Sequence, residues 1–455
     1  MLRISLNALV LTAGALFLSY ITLQYFDTRK AGGVNPDSGN QIGFVTSISH
    51  PSLLGGTTQR TFIKVDLTGF KITKDIPKTP VNVAIVLDKS GSMNGEKMMQ
   101  AKNAALQAVS RLSEGDVVSI ITYDNTAQVL LPATEFSQIQ QIEQKISQVT
   151  AGGGTALYDG VVTGANQIRE FLADNRVNRV ILLSDGQANH GPETPDALGS
   201  LGASLIQDGI SVSTIGLGLG YNEDLMVALA MRSDGNHHFV EHADMLAGMF
   251  NQEFGDVLSV VAQDVRVSIN LAPGIRPISV LGREASIDGR QVDVSLNQLY
   301  SEQEKYVLLE VETSGEKTTG TYKIADVSLA YANMLTQAEE HHAQSISATF
   351  TNSMAEVEEA VDKKTMVSAI EQRAVLNEEQ AIGLRDMGQL REAEALLQEN
   401  AVYLEQNAAT YEADVLLEKA ERSRGVASSL DDVSWKSQRK QLRSDHYKVK
   451  TQQKN

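Results

Sequence analysis

The sequence predicts an α/β fold: a doubly wound, mostly parallel sheet inserted in a β-sandwich, with a C-terminal helical region and an N-terminal membrane-spanning segment. Three observations predict it. Apolar runs alternate with helical stretches from residue 81 to residue 240. Runs of β-branched alternation flank that stretch on both sides. A long uncharged apolar run stands at the N-terminus.

The N-terminal run, Ile4 to Phe26, follows Arg3 and carries no charge. At ~1.5 Å per residue it can cross a ~30 Å hydrocarbon core. It is long for the apolar part of a signal peptide, and no small-x-small site follows it. Residues 1–26 are therefore expected to be a signal anchor, with a cleaved signal peptide as the alternative. Arg3 faces Arg29 and Lys30 across the run, so charge leaves the orientation open. Residues 27–40, polar and Gly-rich, read as a linker.

Gln41 to Ser49 and Arg60 to Leu67 alternate as strands, divided by Leu54-Gly55-Gly56. From Val81 the pattern changes. Val83–Leu87, Val117–Tyr123, Val180–Leu183, Val212–Gly216 and His238–Val240 read as apolar strands. Helices are expected near 97–112, 139–149, 156–172, 197–207 and 223–231. Such alternation indicates a parallel sheet covered on both faces. After a helix near 243–260, strands return at 265–271, 278–281, 292–296, 306–311 and 322–329. Residues 41–78 and 258–350 are thus expected to form one β-sandwich, interrupted by 79–257. Residues 351–425 are rich in Ala, Glu and Leu. Gly388-Gln389-Leu390-Arg391-Glu392-Ala393 resembles one tetratricopeptide unit, so this region reads as a helical hairpin packing on the body or on a partner. Residues 426–455 read as a solvated basic tail.

Composition narrows the function. The net charge is −17, which repels phosphate backbones and argues against nucleic acid as a partner. There is no cysteine, so neither a disulfide nor a cysteine-linked lipid anchor is available. No Ser-His-Asp order, nucleophile elbow or phosphate-binding loop is present, and nothing argues for catalysis. His238-Phe239-Val240-Glu241-His242 fits a His-x-x-Glu-His pattern. That chemistry needs both imidazoles on one helical face, and on a strand they would stand ~13 Å apart. His341-His342 reads as solvated surface.

Asp88-Lys89-Ser90-Gly91-Ser92 closes the first apolar run. Gly152-Gly153-Gly154-Thr155 forms a Gly-rich loop, and Ser184-Asp185-Gly186 closes the third run. These pieces offer Asp88, Ser90, Ser92, Thr155 and Asp185, all hard oxygen donors. Such a set suits a small hard cation such as Mg2+, with Mn2+ or Ca2+ as alternatives. In a doubly wound sheet ligands bind beyond the strand carboxyl ends, where these elements fall.

The three elements, in this order, resemble the metal-ion-dependent adhesion site of the von Willebrand factor type A (VWA) family. The resemblance covers about residues 79–257 and includes Thr214–Gly220, Tyr221-Asn222-Glu223-Asp224-Leu225 and Gly235-Asn236. It is similar to the bacterial branch related to inter-alpha-trypsin-inhibitor heavy chains. The resemblance implies that Ser90, Ser92 and Thr155 supply neutral oxygens, and that Asp88 and Asp185 supply charge, often through water. It implies a partner Asp or Glu completing the coordination on the surface around Asp88, Ser92, Thr155 and Asp185. The expected function is a non-catalytic, metal-dependent adhesion or scaffold protein outside the cytoplasmic membrane, held there through residues 4–26. The alternative is an accessory subunit of an ATP-driven complex of the MoxR or chelatase type.

Overall fold

The computed structural model describes residues 39–73, 78–137, 139–430 and 434–454. The expected span Ile4–Phe26 lies outside the described residues. Among the described residues no helix is long and apolar enough to cross a membrane.

The chain opens with β1 (Gly43–Ile48), β2 (Ser52–Leu54) and β3 (Gln59–Thr68). An α/β unit follows: β4 (Val81–Asp88), α1 (Glu96–Val109), β5 (Val117–Tyr123), β6 (Ala127–Glu135), α2 (Ile139–Ser147), α3 (Leu157–Arg169), β7 (Val177–Ser184), α4 (Pro195–Gln207), β8 (Ser211–Leu217), α5 (Glu223–Arg232), β9 (His237–Val240) and α6 (Leu246–Val257). Its sheet has the order β6-β5-β4-β7-β8-β9, parallel except for β6. Every residue of β4, β5, β7 and β8 is buried, because helices cover both faces. Alternate residues of β4 serve different cores. Val83, Ile85 and Leu87 pack with Ala101 of α1 and Phe250 of α6. Ala84 and Val86 pack with Val161 of α3, Leu198 of α4 and Leu225 of α5. Thr194 caps α4 by accepting from the amide of Ala197, and Asn222 caps α5 through the amides of Asp224 and Leu225.

Seven strands follow: β10 (Val260–Leu271), β11 (Ile275–Leu281), β12 (Ser286–Asp288), β13 (Gln291–Tyr300), β14 (Glu304–Thr313), β15 (Gly320–Asn333) and β16 (Ala338–Thr351). One sheet runs β1-β3-β14-β11 and the other β12-β13-β10-β15-β16-β2. Strand β3 lies antiparallel to β14 from Gln59↔Thr313 to Thr68↔Glu304. Phe44, Ile63, Val65 and Leu67 share one core with Val267, Ile269, Val307 and Leu329.

The C-terminal part is α7 (Met354–Glu359), α8 (Lys363–Asp386), α9 (Leu390–Tyr411), α10 (Asp414–Ala427), α11 (Trp435–Lys450) and β17 (Gln453–Lys454). Three expectations are corrected here. The region 351–425 is not one hairpin: α8, α9 and α10 build two apolar clusters, one around Ala401 and Leu404 and one around Ala393 and Leu397. One pair of helices could not bury those faces.

Residues 426–455 are not a solvated tail either. Helix α10 continues to Ala427, and α11 buries Trp435, Leu442 and Tyr447. Its cations meet acids of the body. Lys440 Nζ bonds Glu223 and donates to the carbonyl of Tyr221 at 2.6 Å. Arg439 pairs with Glu223, with Asp224 at 2.9 Å and with Asp386 at 2.8 Å. Strand β17 then joins β14. His342 also departs from a solvated reading, since its ring stacks on Tyr331 at 5.9 Å between centroids.

Candidate metal centre

Strand β4 ends on Asp88, whose carboxylate is buried. One oxygen accepts from the amide of Ser90 and the other from the hydroxyl of Ser184, each at 2.8 Å. No cation pairs with Asp88 among the described residues. Burial pushes its carboxyl up to about 6, against the pull of the Ser90 and Ser184 hydrogen bonds, and the charge of Asp185 adds to the rise. Among the described residues Asp88 thus has no cation of its own, and the one lysine that reaches the two carboxylates pairs with Asp185.

The remaining motif residues converge on this point. Ser90 Oγ lies 3.1 Å from Ser92 Oγ, and Ser92 Oγ donates to Asp185 Oδ1 at 2.7 Å. The loop carrying Thr155 is tied to the β4 turn by the amide of Gly91 donating to the carbonyl of Gly153 at 3.0 Å. The amide of Gly152 donates in turn to the carbonyl of Lys89 at 2.7 Å. Asn125 Oδ1 and Asn189 Oδ1 accept the amides of Gly154 and Thr155, each at 2.8 Å. A Cβ placed on Gly186 would stand 3.2 Å from Thr155 Oγ1, 3.3 Å from Ser92 Oγ and 3.9 Å from Ser90 Oγ. Three hydroxyl oxygens therefore face space that a side chain at this position would fill.

This donor set fits a hard divalent cation. Asp88, Ser90, Ser92, Thr155 and Asp185 would hold it, with water completing the shell. Among the described residues no cluster of three or more His, Asp or Glu is placed to hold a metal, so a metal here depends on the hydroxyls. The His-x-x-Glu-His segment supplies none. His237 to Val240 form β9, and His238 Nε2 is bonded to Glu253 at 3.1 Å.

Sequence reasoning missed several supporting groups. Ser184 holds the second oxygen of Asp88. Lys97, in the first turn of α1, pairs with Asp185 Oδ2. Lys89 pairs with Asp124 at the rim. Behind the site, Gln187 Nε2 donates to the carbonyl of Gly220 at 2.7 Å, which seats the loop before α5 against the Asp185 turn. Only the polar residues in the loops after the strand ends, Asp124-Asn125, Gln187 and Asn189, could have signalled such partners.

Residues 82–252 match the family model of the von Willebrand factor type A domain. This segment is a VWA domain. Over 264 residues the chain is 28% identical to an uncharacterised protein of Synechocystis sp., covering 56% of this chain and 62% of that protein. It is 29% identical over 218 residues to the uncharacterised Escherichia coli protein YfbK, 47% of this chain and 38% of that one. It is 25% identical over 243 residues to human inter-alpha-trypsin inhibitor heavy chain H3, 50% of this chain and 27% of that one. The chain thus spans less than two thirds of each of these curated relatives. Two solved structures share the fold over most of the chain. VWA2, the ArnB paralog of Sulfolobus acidocaldarius, aligns with TM-score 0.63 and 18% identity over 90% of this chain and 98% of that one. A von Willebrand factor type A structure from Catenulispora acidiphila aligns with TM-score 0.66 and 17% identity, over 87% and 98%.

Proposed function

We propose that this chain is a non-catalytic, divalent-metal-dependent protein-binding scaffold. A side-chain carboxylate of the partner completes the coordination of an ion held by Asp88, Ser90, Ser92, Thr155 and Asp185. The observation that carries the reading is the convergence of three hydroxyls and two carboxylates at the carboxyl edge of the VWA sheet. With only two acids, the site leaves a divalent ion able to accept an outside carboxylate. The ion also reverses the local sign on a chain of net charge −17, which would otherwise repel an acidic partner. Magnesium is the proposed ion, because the set is all oxygen and includes few carboxylates. The uncharged run Ile4–Phe26 supports a place outside the cytoplasmic membrane, with that run as the membrane attachment.

Asp88→Ala tests the site. We expect it to abolish Mg2+ and Mn2+ binding in isothermal titration while the thermal melt remains cooperative. It should also lose any partner that wild-type protein captures in Mg2+ and releases in chelator. Undiminished metal affinity in Asp88→Ala would sink the assignment.

A further inference from the structure

We infer that Lys97 is a second cationic centre of the metal site, an ammonium on the protein that weakens the grip on the ion and strengthens the grip on an incoming carboxylate. The inference rests on the metal-dependent reading above and specifies how that site divides its affinity.

The Asp185 side chain is fully buried, whereas the Lys97 side chain is 36% exposed. The pair therefore spans from the buried floor of the site to its solvent edge. Asp185 has two different neighbours. Its Oδ1 accepts from Ser92 Oγ at 2.7 Å, facing the hydroxyl cluster, and its Oδ2 meets the Lys97 ammonium. The neighbouring cation is placed otherwise. Lys89 pairs with Asp124, an acid outside the ligand set, and so contributes little net charge. Lys97 pairs with an acid of the set itself.

Charge counting gives this arrangement a consequence. Asp88 and Asp185 cancel a divalent ion. With Lys97 added, the ion-loaded site keeps one positive charge, which a single carboxylate neutralises. Without Lys97, the loaded site is already neutral and the same carboxylate leaves it negative. Lys97 therefore opposes the ion and attracts the acidic group, so its removal should move the two affinities in opposite directions. A unit charge acting on a divalent ion across a few ångströms is worth about tenfold in affinity even at the dielectric of water. A purely structural counter-ion for Asp185 would not produce opposite signs.

The test uses the full chain, with Mn2+ as the metal probe and acetate as the carboxylate probe. Free Mn2+ is followed by its paramagnetic resonance signal, with and without acetate. Lys97→Met and Lys97→Gln should bind Mn2+ about tenfold more tightly than wild type, and should lose most of the affinity gain that acetate gives the wild type. Lys97→Arg, which keeps the charge, should restore the wild-type pattern. Unchanged or weaker Mn2+ binding in both neutral variants would overturn the inference, as would an acetate gain that survives in them. Wild-type protein that binds Mn2+ no better than Asp88→Ala would instead remove the metal reading, and the inference with it.

Discussion

One strand, β7, carries two buried charge clusters at its two ends, and they are built on opposite principles. Near its start, Arg179 is completely buried. Its guanidinium donates to Ser213 Oγ at 2.7 Å, Glu253 Oε1 at 3.2 Å, Tyr300 Oη at 3.0 Å and Gln298 Oε1. Glu253 accepts further from Ser213, from Asn236 Nδ2 at 2.8 Å and from His238 Nε2 at 3.1 Å. Burial alone would raise Glu253, but the hydrogen bond from His238 and the charge of Arg179 bring it down to about 2. At the far end, Ser184-Asp185 and Asp88 face three hydroxyls, with one half-exposed lysine for two acids. The first cluster is closed, with each charge answered inside the protein. The second is under-compensated and opens to an edge of the fold. A buried charge therefore marks a binding site only when its compensation is incomplete.

The comparison predicts its largest effect at the closed end. Arg179→Met leaves Glu253 buried without its cation, and removing one partner of a buried pair costs ~3–5 kcal/mol. Denaturant unfolding should show that loss, with metal affinity little changed in the variant that still folds. A loss below about 1 kcal/mol would mean that the cluster is not closed in the sense argued.

At the open end the sign reverses. The folded value of Asp88, about 6, lies above its ordinary 3.8. The folded state therefore binds the proton more tightly, and stability falls as pH rises from 3.8 through about 6. Above that window the full cost of the buried charge is present. Asp88→Asn removes it and keeps the shape, since the Ser184 hydroxyl can turn from donor to acceptor. We expect Asp88→Asn to be ~1–2 kcal/mol more stable than wild type at pH 7 without metal. The gap should close on acidification below pH 4. A variant as damaged as Arg179→Met would make the two ends alike and end the contrast.

The legible and illegible parts of the molecule divide along similar lines. The parallel strands could be read because a strand covered on both faces needs no polar side, as in Val83 to Leu87 and Val180 to Leu183. Strand β6 was not foreseen. It lies at the sheet edge, half exposed, and contains Pro132, which weakens a strand reading. Four of the five oxygen donors, Asp88, Ser90, Ser92 and Asp185, were legible because they end or follow an apolar strand, and Thr155, between α2 and α3, because it closes a Gly-rich run. Lys97 was not, because a lysine in the first turn of a helix reads as an ordinary solvated residue until Asp185 is placed beside it. Helix α11 hid for the same reason at larger scale. Its arginines and lysines looked like a charged tail, while Glu223, the acid that answers Arg439 and Lys440, lies more than 200 residues away in the chain.

The smallest expected effect is also the sharpest test of the rule, because it lies beside the closed cluster and violates it. Asp256 lines a cavity of ≈ 220 Å³ with Asn236, His238, Tyr300 and Tyr447. Its contact with the cluster is Asn236 Nδ2 at 3.5 Å, too long to compensate a charge. Burial pushes its carboxyl up to about 7, and the neighbouring charge of Glu253 adds to that, outweighing the pull of His238 and Arg179. The folded value lies above the ordinary 3.8, so wild type loses stability as pH rises from 3.8 through about 7. Asp256 is only partly buried, unlike Asp88, so solvent screens much of this cost, and Asp256→Asn should be more stable than wild type by about 1 kcal/mol at pH 8, less so at pH 6, and equal to it at pH 3.5. Thermal or denaturant melts at the three values measure the gap. If the gap is the same at all three, Asp256 is already compensated in the folded state, and local charge balance, rather than position in the fold, fails as the criterion separating the two ends of β7. If it narrows with acid as stated, an uncompensated carboxylate can be recognised even where it borders a cluster whose other charges are paired.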